Sequence, residues 1–230
     1  TWSPEQIACT PCELKLPSWR TIYRWIYEKY LVNGNLKVLR HKGKSHGVKE
    51  TRGKYSKGKS IRKRDKSVYS REEAGHWDAD TVVSGQGKSK ACFATLAERK
   101  TRFYIAMKMS DRRAETMENA IVAALSAFPP QLVKTITCDR GTEFANWRRI
   151  EERLHCEVYF ADPYCAWQKG TNENLNGLLR EFYPKGRNLS RVAPATLKRN
   201  LALLNARPRK VLYFHSAQEL WDFELNSCCT

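Results

Sequence analysis

Hydrophobic and polar residues recur with two different periods along the chain. Three short runs rich in β-branched and aromatic residues, 75–84, 91–97 and 101–109, are separated by turn-forming residues, which predicts three consecutive strands. The next segment has apolar residues at helical spacing and ends at a Pro-Pro pair, which predicts an amphipathic helix capped by Ser110 or Asp111. Its apolar stripe consists of Met117, Ile121, Ala124, Leu125 and Phe128.

Strands and helices alternate over the following residues. We predict strands over 133–138 and 157–161, and helices over about 143–154, 168–183 and 194–205. Together with the three earlier strands, this order predicts an α/β fold in which a mixed five-stranded sheet is flanked by helices.

Two short helices are predicted before these strands. Ser3 is suited to cap the first helix and Pro4 to begin it. Residues 18–30 carry apolar side chains at helical spacing, with basic residues elsewhere on the helix surface. The pair is typical of part of a helix-turn-helix, and a plain helical hairpin accounts for it equally well.

Positive charge is concentrated between these two regions. The chain has a net charge of +17, and residues 37–66 hold 13 Lys or Arg against only two acids. Glycines interrupt this stretch and apolar periodicity is missing, which predicts an extended linker. So basic a segment binds DNA phosphates through counterion release, and a solvated tether without function is the alternative. The candidate phosphate contacts in it are Arg62, Lys63 and Arg64.

The remaining composition excludes several classes of protein. With 41% hydrophobic and 11% aromatic residues among 230, the chain can bury a core, so disorder throughout is excluded. No apolar run reaches the roughly 18 residues of a membrane span, and no secretory signal is present, so we expect a cytoplasmic protein. Its eight cysteines are then expected to be free thiols. Cys9 and Cys12 have half the spacing of a zinc site, and incidental thiols are favoured over zinc.

Three acids stand out in so basic a chain. Asp139 follows an apolar strand, at the kind of sheet edge where α/β proteins place their sites. Asp80 lies within the first strand, on the same face as Asp78. Glu173 lies opposite the leucine face of its predicted helix, beside basic residues. Each alone is more often a turn, cap or surface residue, but three clustered carboxylates would require a cation such as Mg²⁺ or Mn²⁺.

Several motifs resemble the IS-thirty family of bacterial insertion-sequence transposases. The most specific is the stretch 159–186, which contains Trp167-Gln168-Lys169-Gly170-Thr171-Asn172-Glu173-Asn174. The resemblance covers residues 2–220. Further matching motifs lie at 75–81, 98–102, 137–144 and 205–210.

The resemblance implies a ribonuclease-H-like, retroviral-integrase-like core with a DDE triad. Asp80, Asp139 and Glu173 match the three acids, and the 33 residues between the last two match the family's spacing. These acids are expected to hold two Mg²⁺ or Mn²⁺ ions, which suit in-line phosphoryl transfer. Asp78, where the family commonly has Glu, is taken as secondary. The candidate DNA contacts beside the triad are Lys169 and Arg180 for phosphates, and Asn172 and Asn174 for bases or sugars.

The predicted function is therefore that of a DNA transposase. It would cleave double-stranded DNA at element ends, transfer the freed strand into target DNA, and act as a homo-oligomer on DNA. A noncatalytic DNA-binding remnant and a nuclease without strand transfer are the alternatives. The expected domains are a helical DNA-binding remnant (1–31), the basic linker (32–74), the catalytic core (75–214) and a C-terminal helical tail (215–230).

Overall fold

A six-stranded mixed sheet forms the centre of the protein. The structure, a computed structural model, describes residues 2–11, 16–39, 58–162 and 165–228. The strand order is β1-β6-β5-β2-β3-β4, with β2, β3 and β4 antiparallel and β1, β6 and β5 parallel to β2. The strands are β1 (Lys59–Ser60), β2 (His76–Val83), β3 (Cys92–Glu98), β4 (Tyr104–Met109), β5 (Thr135–Cys138) and β6 (Glu157–Phe160).

The sixth strand corrects the five-stranded sheet predicted from the sequence. β1 has two residues and pairs with Tyr159 and Phe160 of β6. Two residues inside a Lys- and Arg-rich segment cannot show the alternation by which strands are recognised, so the pattern did not reveal β1. Gly58 precedes it at φ 97°, and a Cβ there would collide with the Phe160 ring, so only glycine fits this approach to the sheet.

Seven helices accompany the sheet within the described ranges. The predicted Ser3 cap is confirmed, since Ser3 and Gln6 form a capping box at the start of the first helix. The expected cap at Ser110 or Asp111 is wrong: the third helix begins later, with Arg113 as its N-cap. The helices are α1 (Pro4–Cys9), α2 (Trp19–Tyr27), α3 (Ala114–Leu125), α4 (Trp147–Leu154), α5 (Gly170–Phe182), α6 (Pro194–Asn205) and α7 (Ala217–Ser227).

Two apolar clusters cover the two faces of the sheet. On one face α3, α4 and α7 pack against Trp77 and Ala79 of β2. On the other face α5 and α6 pack against β3, β4 and Val82 of β2. Because side chains alternate along a strand, Asp78 and Asp80 lie on the same face as Val82, toward α5. The layered arrangement therefore directs both acids of β2 to the helix that carries Glu173.

Segments predicted as linker and tail also pack against the sheet. Ile61 and Val68 are buried, and Trp221 of α7 stacks on Phe103 at 5.2 Å and meets Trp77 edge-on at 5.3 Å. Residues 40–57, which are 18 of the 43 residues of the predicted linker, lie outside the described residues, as does Cys12 of the candidate zinc pair. No helix within the described ranges is long and apolar enough to cross a membrane.

Candidate active site

Two of the three predicted acids meet at one edge of the sheet. β2 and β5 are parallel neighbours, with Asp78 paired to Thr137. Two residues further along these strands, Asp80 and Asp139 therefore lie side by side. Their side chains are 28% and 32% exposed, which leaves both carboxylates accessible. Each is also held by its local backbone, because Asp80 accepts from the Thr81 N–H and Asp139 from the Gly141 N–H, both at 2.9 Å. The edge therefore presents two oriented carboxylates.

Lys169 lies between these two carboxylates. Its Nζ is 3.8 Å from Asp80 Oδ1 and 3.9 Å from Asp139 Oδ2, and it donates to the Ala79 carbonyl at 3.2 Å. Burial opposes the charge of this ammonium, but attraction to Asp80 and Asp139 outweighs burial and raises the pKa of Lys169 above its ordinary value. Lys169 therefore presents a positive charge to the acid pair. Lys169, which the sequence predicted as a phosphate contact, therefore points toward the acid pair, and its side chain is only 12% exposed.

Helix α5 contacts β2 through two asparagines. Asn176 donates to Asp80 Oδ2 at 2.9 Å, and Asn172 donates to the Asp78 carbonyl at 3.1 Å. Asn172 is fully buried, so the structure gives it a packing role in place of the expected DNA contact. Glu173 lies one turn after Lys169, on the helix that carries both asparagines, and is exposed. Among the described residues, no three His, Cys, Asp or Glu side chains form a group that could hold a metal ion.

Glu143 is a buried acid beside this site that sequence reasoning missed. Only 3% of it is exposed, and it accepts from Thr81 Oγ1 at 3.1 Å and from Arg112 Nη2 at 3.2 Å. It lies in a 3₁₀ turn (Thr142–Phe144), where the sequence predicted the start of a helix. An acid at a predicted helix start is typically a surface residue that interacts favourably with the helix dipole, so the burial of Glu143 was not anticipated. Its sequence signals were its place four residues after Asp139 and within the matching motif at 137–144.

Buried arginines lie behind the acid pair. Arg99 donates to both oxygens of Asp78 at 3.0 Å, which explains the carboxylate inside an apolar strand. Arg102 donates to Thr171 Oγ1 at 3.0 Å and so ties the turn after β3 to the start of α5. Burial, with repulsion from neighbouring arginines, lowers the pKa of Arg102 to about 10.

Arg64 belongs to this buried group, which corrects its assignment as a phosphate contact. It is 3% exposed, donates to Thr137 Oγ1 at 2.7 Å and stacks over the Tyr69 ring. The sequence did not distinguish it from its neighbours because burial depends on packing against β5, far along the chain. Arg62, by contrast, is exposed and pairs with Asp162 at 2.9 Å, and Lys63 is exposed.

The two remaining candidates for DNA contact lie on α5. Arg180 is partly buried and donates to the Val83 carbonyl at 2.9 Å, next to the end of β2. Asn174 is exposed. Both lie on the helix whose Asn176 contacts Asp80. Their roles toward DNA stay predictions.

Comparison with known proteins gives the site a context. The integrase core domain family matches residues 70–166. The chain is 35% identical to the transposase for insertion sequence element IS4351 of Bacteroides fragilis, over 98% of this chain and 70% of that one. It is 34% identical to the probable transposase for insertion-like sequence element IS1161 of Streptococcus salivarius, over 90% of this chain and 59% of that one. It is also 34% identical to transposase InsI for insertion sequence element IS30A of Escherichia coli (strain K12), over 95% of this chain and 61% of that one. The chain thus spans about 60% of the length of the latter two relatives.

Solved structures agree with the observed architecture. The catalytic core domain of BIV integrase superposes with a TM-score of 0.51 at 16% identity, covering 68% of this chain and 99% of that one. A chain of the simian T-cell lymphotropic virus intasome superposes with a TM-score of 0.53 at 13% identity, covering 64% of this chain and 54% of that one. Identities this low show the fold alone, and that fold is the ribonuclease-H-like core predicted from the sequence.

Proposed function

This chain belongs to the IS-thirty (IS30) family of insertion-sequence transposases, and on that basis we propose that it cleaves DNA at the ends of an insertion element and joins the freed strand to target DNA. The observation that carries this proposal is the meeting of Asp80 and Asp139 at one sheet edge, with the Lys169 ammonium within 3.9 Å of both. A site that holds two carboxylates around a positive charge is suited to phosphoryl transfer.

The donor set of the acid pair fits a hard divalent cation. Carboxylate oxygens are the ligands that Mg²⁺ and Mn²⁺ prefer, and the position of Lys169 supports a local preference for positive charge. In our proposal Asp80 and Asp139, joined by Glu173 from α5, hold two such ions. When bound, divalent cations lower the pKa of an attacking water and neutralise charge that develops on the phosphate.

The protein's own groups orient the two acids. Thr81 N–H and the Asn176 amide hold the two oxygens of Asp80, each at 2.9 Å. The Gly141 N–H holds one oxygen of Asp139 at 2.9 Å and leaves the other facing Lys169. Because these donors are in place before any substrate binds, little reorganisation is needed when a phosphodiester arrives. In the proposed complex the Lys169 ammonium is available to a phosphate oxygen once cations neutralise the acids.

Double-stranded DNA is the proposed substrate and partner. The net charge of +17 attracts the phosphate backbone. Arg62 and Lys63 are exposed near the Asp162 end of β6, and Asn174 is exposed on α5, so these residues can reach DNA without rearrangement. We propose that the protein acts as a homo-oligomer that holds paired element ends, as the family resemblance implies.

A strand-transfer assay tests this proposal. Labelled duplexes from a pool of candidate element ends would be incubated with the protein and a target plasmid, with and without Mg²⁺. Mg²⁺-dependent cleavage together with joined products supports the transposase. Cleavage without joined products would indicate a nuclease of the same core, and binding without cleavage would indicate a noncatalytic DNA-binding protein.

A further inference from the structure

Glu143 is a buried charge that the proposed reaction does not use. Its side chain is 4% exposed, whereas the Arg112 side chain that pairs with it is 44% exposed. A buried carboxylate is costly unless it is paired or serves another group, and an ion pair with a half-exposed partner compensates it only in part. The location of Glu143 indicates which group it serves.

Glu143 contacts the segments that carry both acids of the pair. Through Oε1 it accepts from Thr81 Oγ1 at 3.1 Å, directly after Asp80 in β2. Through Oε2 it reaches the loop after β5, where it faces Asp139 across Gly141. The carboxylate therefore bridges two strands that are distant in sequence, at the level where their acids emerge.

Gly141 makes this approach possible. A Cβ built on Gly141 would collide with Glu143 Oε2 and lie 2.9 Å from Asp139 Oδ1, so both carboxylates border the space that one methyl group would fill. The φ of Gly141 is −70°, which any residue can adopt, so close packing and not backbone conformation requires glycine here. The negative charge of Glu143 therefore lies close to the Asp139 member of the acid pair.

We propose that Glu143 is a positioning residue that sets the separation of Asp80 and Asp139 and adds a buried negative charge, which strengthens divalent-cation binding at the pair. Arg112 opposes this effect because its positive charge neutralises Glu143 in part. Thr81 fixes the orientation of the Glu143 carboxylate. The proposal rests on the proposed function only in taking Asp80 and Asp139 as the cation ligands.

Cation binding to the full chain, without DNA, tests this role. Mn²⁺ would be titrated calorimetrically into the wild type, Glu143→Gln and Arg112→Gln, and thermal unfolding in EDTA would be recorded for each. We expect Glu143→Gln to bind Mn²⁺ about tenfold more weakly, the usual lower limit for a residue that supports metal ligands. Arg112→Gln is expected to bind Mn²⁺ more tightly, because it leaves the Glu143 charge uncompensated. The control is Glu152→Gln, the same charge change at an exposed position of α4.

Opposite shifts in the two variants are the signature of an electrostatic role. A structural role alone would lower the unfolding temperature in EDTA without moving the Mn²⁺ affinity in opposite directions. Unchanged Mn²⁺ affinity in Glu143→Gln, or weaker binding in Arg112→Gln, would overturn the proposal. Should Glu143→Gln fail to fold, Arg112→Gln decides alone. Failure of the proposed function is distinct, since it would appear as absent DNA cleavage by a wild type that binds Mn²⁺ with the expected variant shifts.

Discussion

The ammonium of Lys169 lies 3.9 Å from the carboxylate of Asp139, although 30 positions separate them in the sequence. The contact forms because Lys169 immediately precedes α5 and this helix packs along β2, beside the edge where β5 ends. Without a cation of some kind, Asp80 and Asp139 would repel each other there. Lys169 supplies that cation from within the chain.

Replacing Lys169 with Met should therefore destabilise the metal-free protein. We expect a loss of about 1–2 kcal/mol in EDTA, below the usual cost of breaking a fully buried ion pair because both acids are partly exposed. Mg²⁺ or Mn²⁺ should restore stability more strongly in this variant than in the wild type. Urea unfolding with and without the metal measures both effects. Lys198→Met, at an exposed position of α6, is the control, and equal stability of Lys169→Met and wild type in EDTA would contradict the prediction.

Asp139→Asn should abolish Mg²⁺-dependent cleavage of element-end DNA. The substitution preserves shape but removes a charge needed to hold a divalent cation, whereas DNA binding depends mainly on basic residues elsewhere. Cleavage assays and binding titrations on the same duplex separate the two effects. Asp222→Asn, an exposed aspartate of α7, should behave like the wild type. Cleavage by Asp139→Asn at the wild-type rate would exclude Asp139 as a cation ligand.

Adding one methyl group at Gly141 should disrupt the same site. In Gly141→Ala the Cβ would strike the Glu143 carboxylate and crowd Asp139, so we expect about tenfold weaker Mn²⁺ binding or a larger loss. Gly170→Ala is a matched control, because a Cβ there meets no atom within 4 Å. Calorimetric Mn²⁺ titration of both variants is the measurement. Equal affinities in the two would show that the carboxylates can separate without cost.

Arg62 and Lys63 should contribute to DNA affinity without sequence preference. The double variant Arg62→Ala, Lys63→Ala should bind all duplexes more weakly, and the slope of log K against log salt should flatten by about 2, near one for each phosphate contact. Binding titrations from low to high salt measure the slope. If the slope matches that of the wild type, neither residue meets phosphate.

Arg64→Ala should behave differently from its neighbours. Because Arg64 is buried against Thr137 and Tyr69, its loss should destabilise the fold by about 1–3 kcal/mol. Urea unfolding measures this change, and Lys63→Ala serves as the exposed control. Equal stability of the two variants would contradict the buried placement of Arg64.

The order of strands and helices could be read from the chain, because alternation and helical spacing are local properties of the sequence. The prediction of α6 over 194–205 agrees with the structure to the residue. The predicted ends of elements were wrong where more than one local conformation suits the same residues. Glu143, predicted to begin a helix, lies in a 3₁₀ turn before α4. β1 escaped prediction because its partner, β6, lies about one hundred residues away in the sequence.

Motif spacing and hydrophobic periodicity are properties of the linear chain, so they were enough to identify the family, the fold class and the three candidate acids. The tertiary structure then determines which charges meet. It separated buried Arg64 from exposed Arg62 two residues earlier, directed Lys169 inward, and brought Glu143 to the side of Asp139. A charged side chain is surrounded by segments that pack across the sheet, and the residues next to it in the sequence do not record which segments these are.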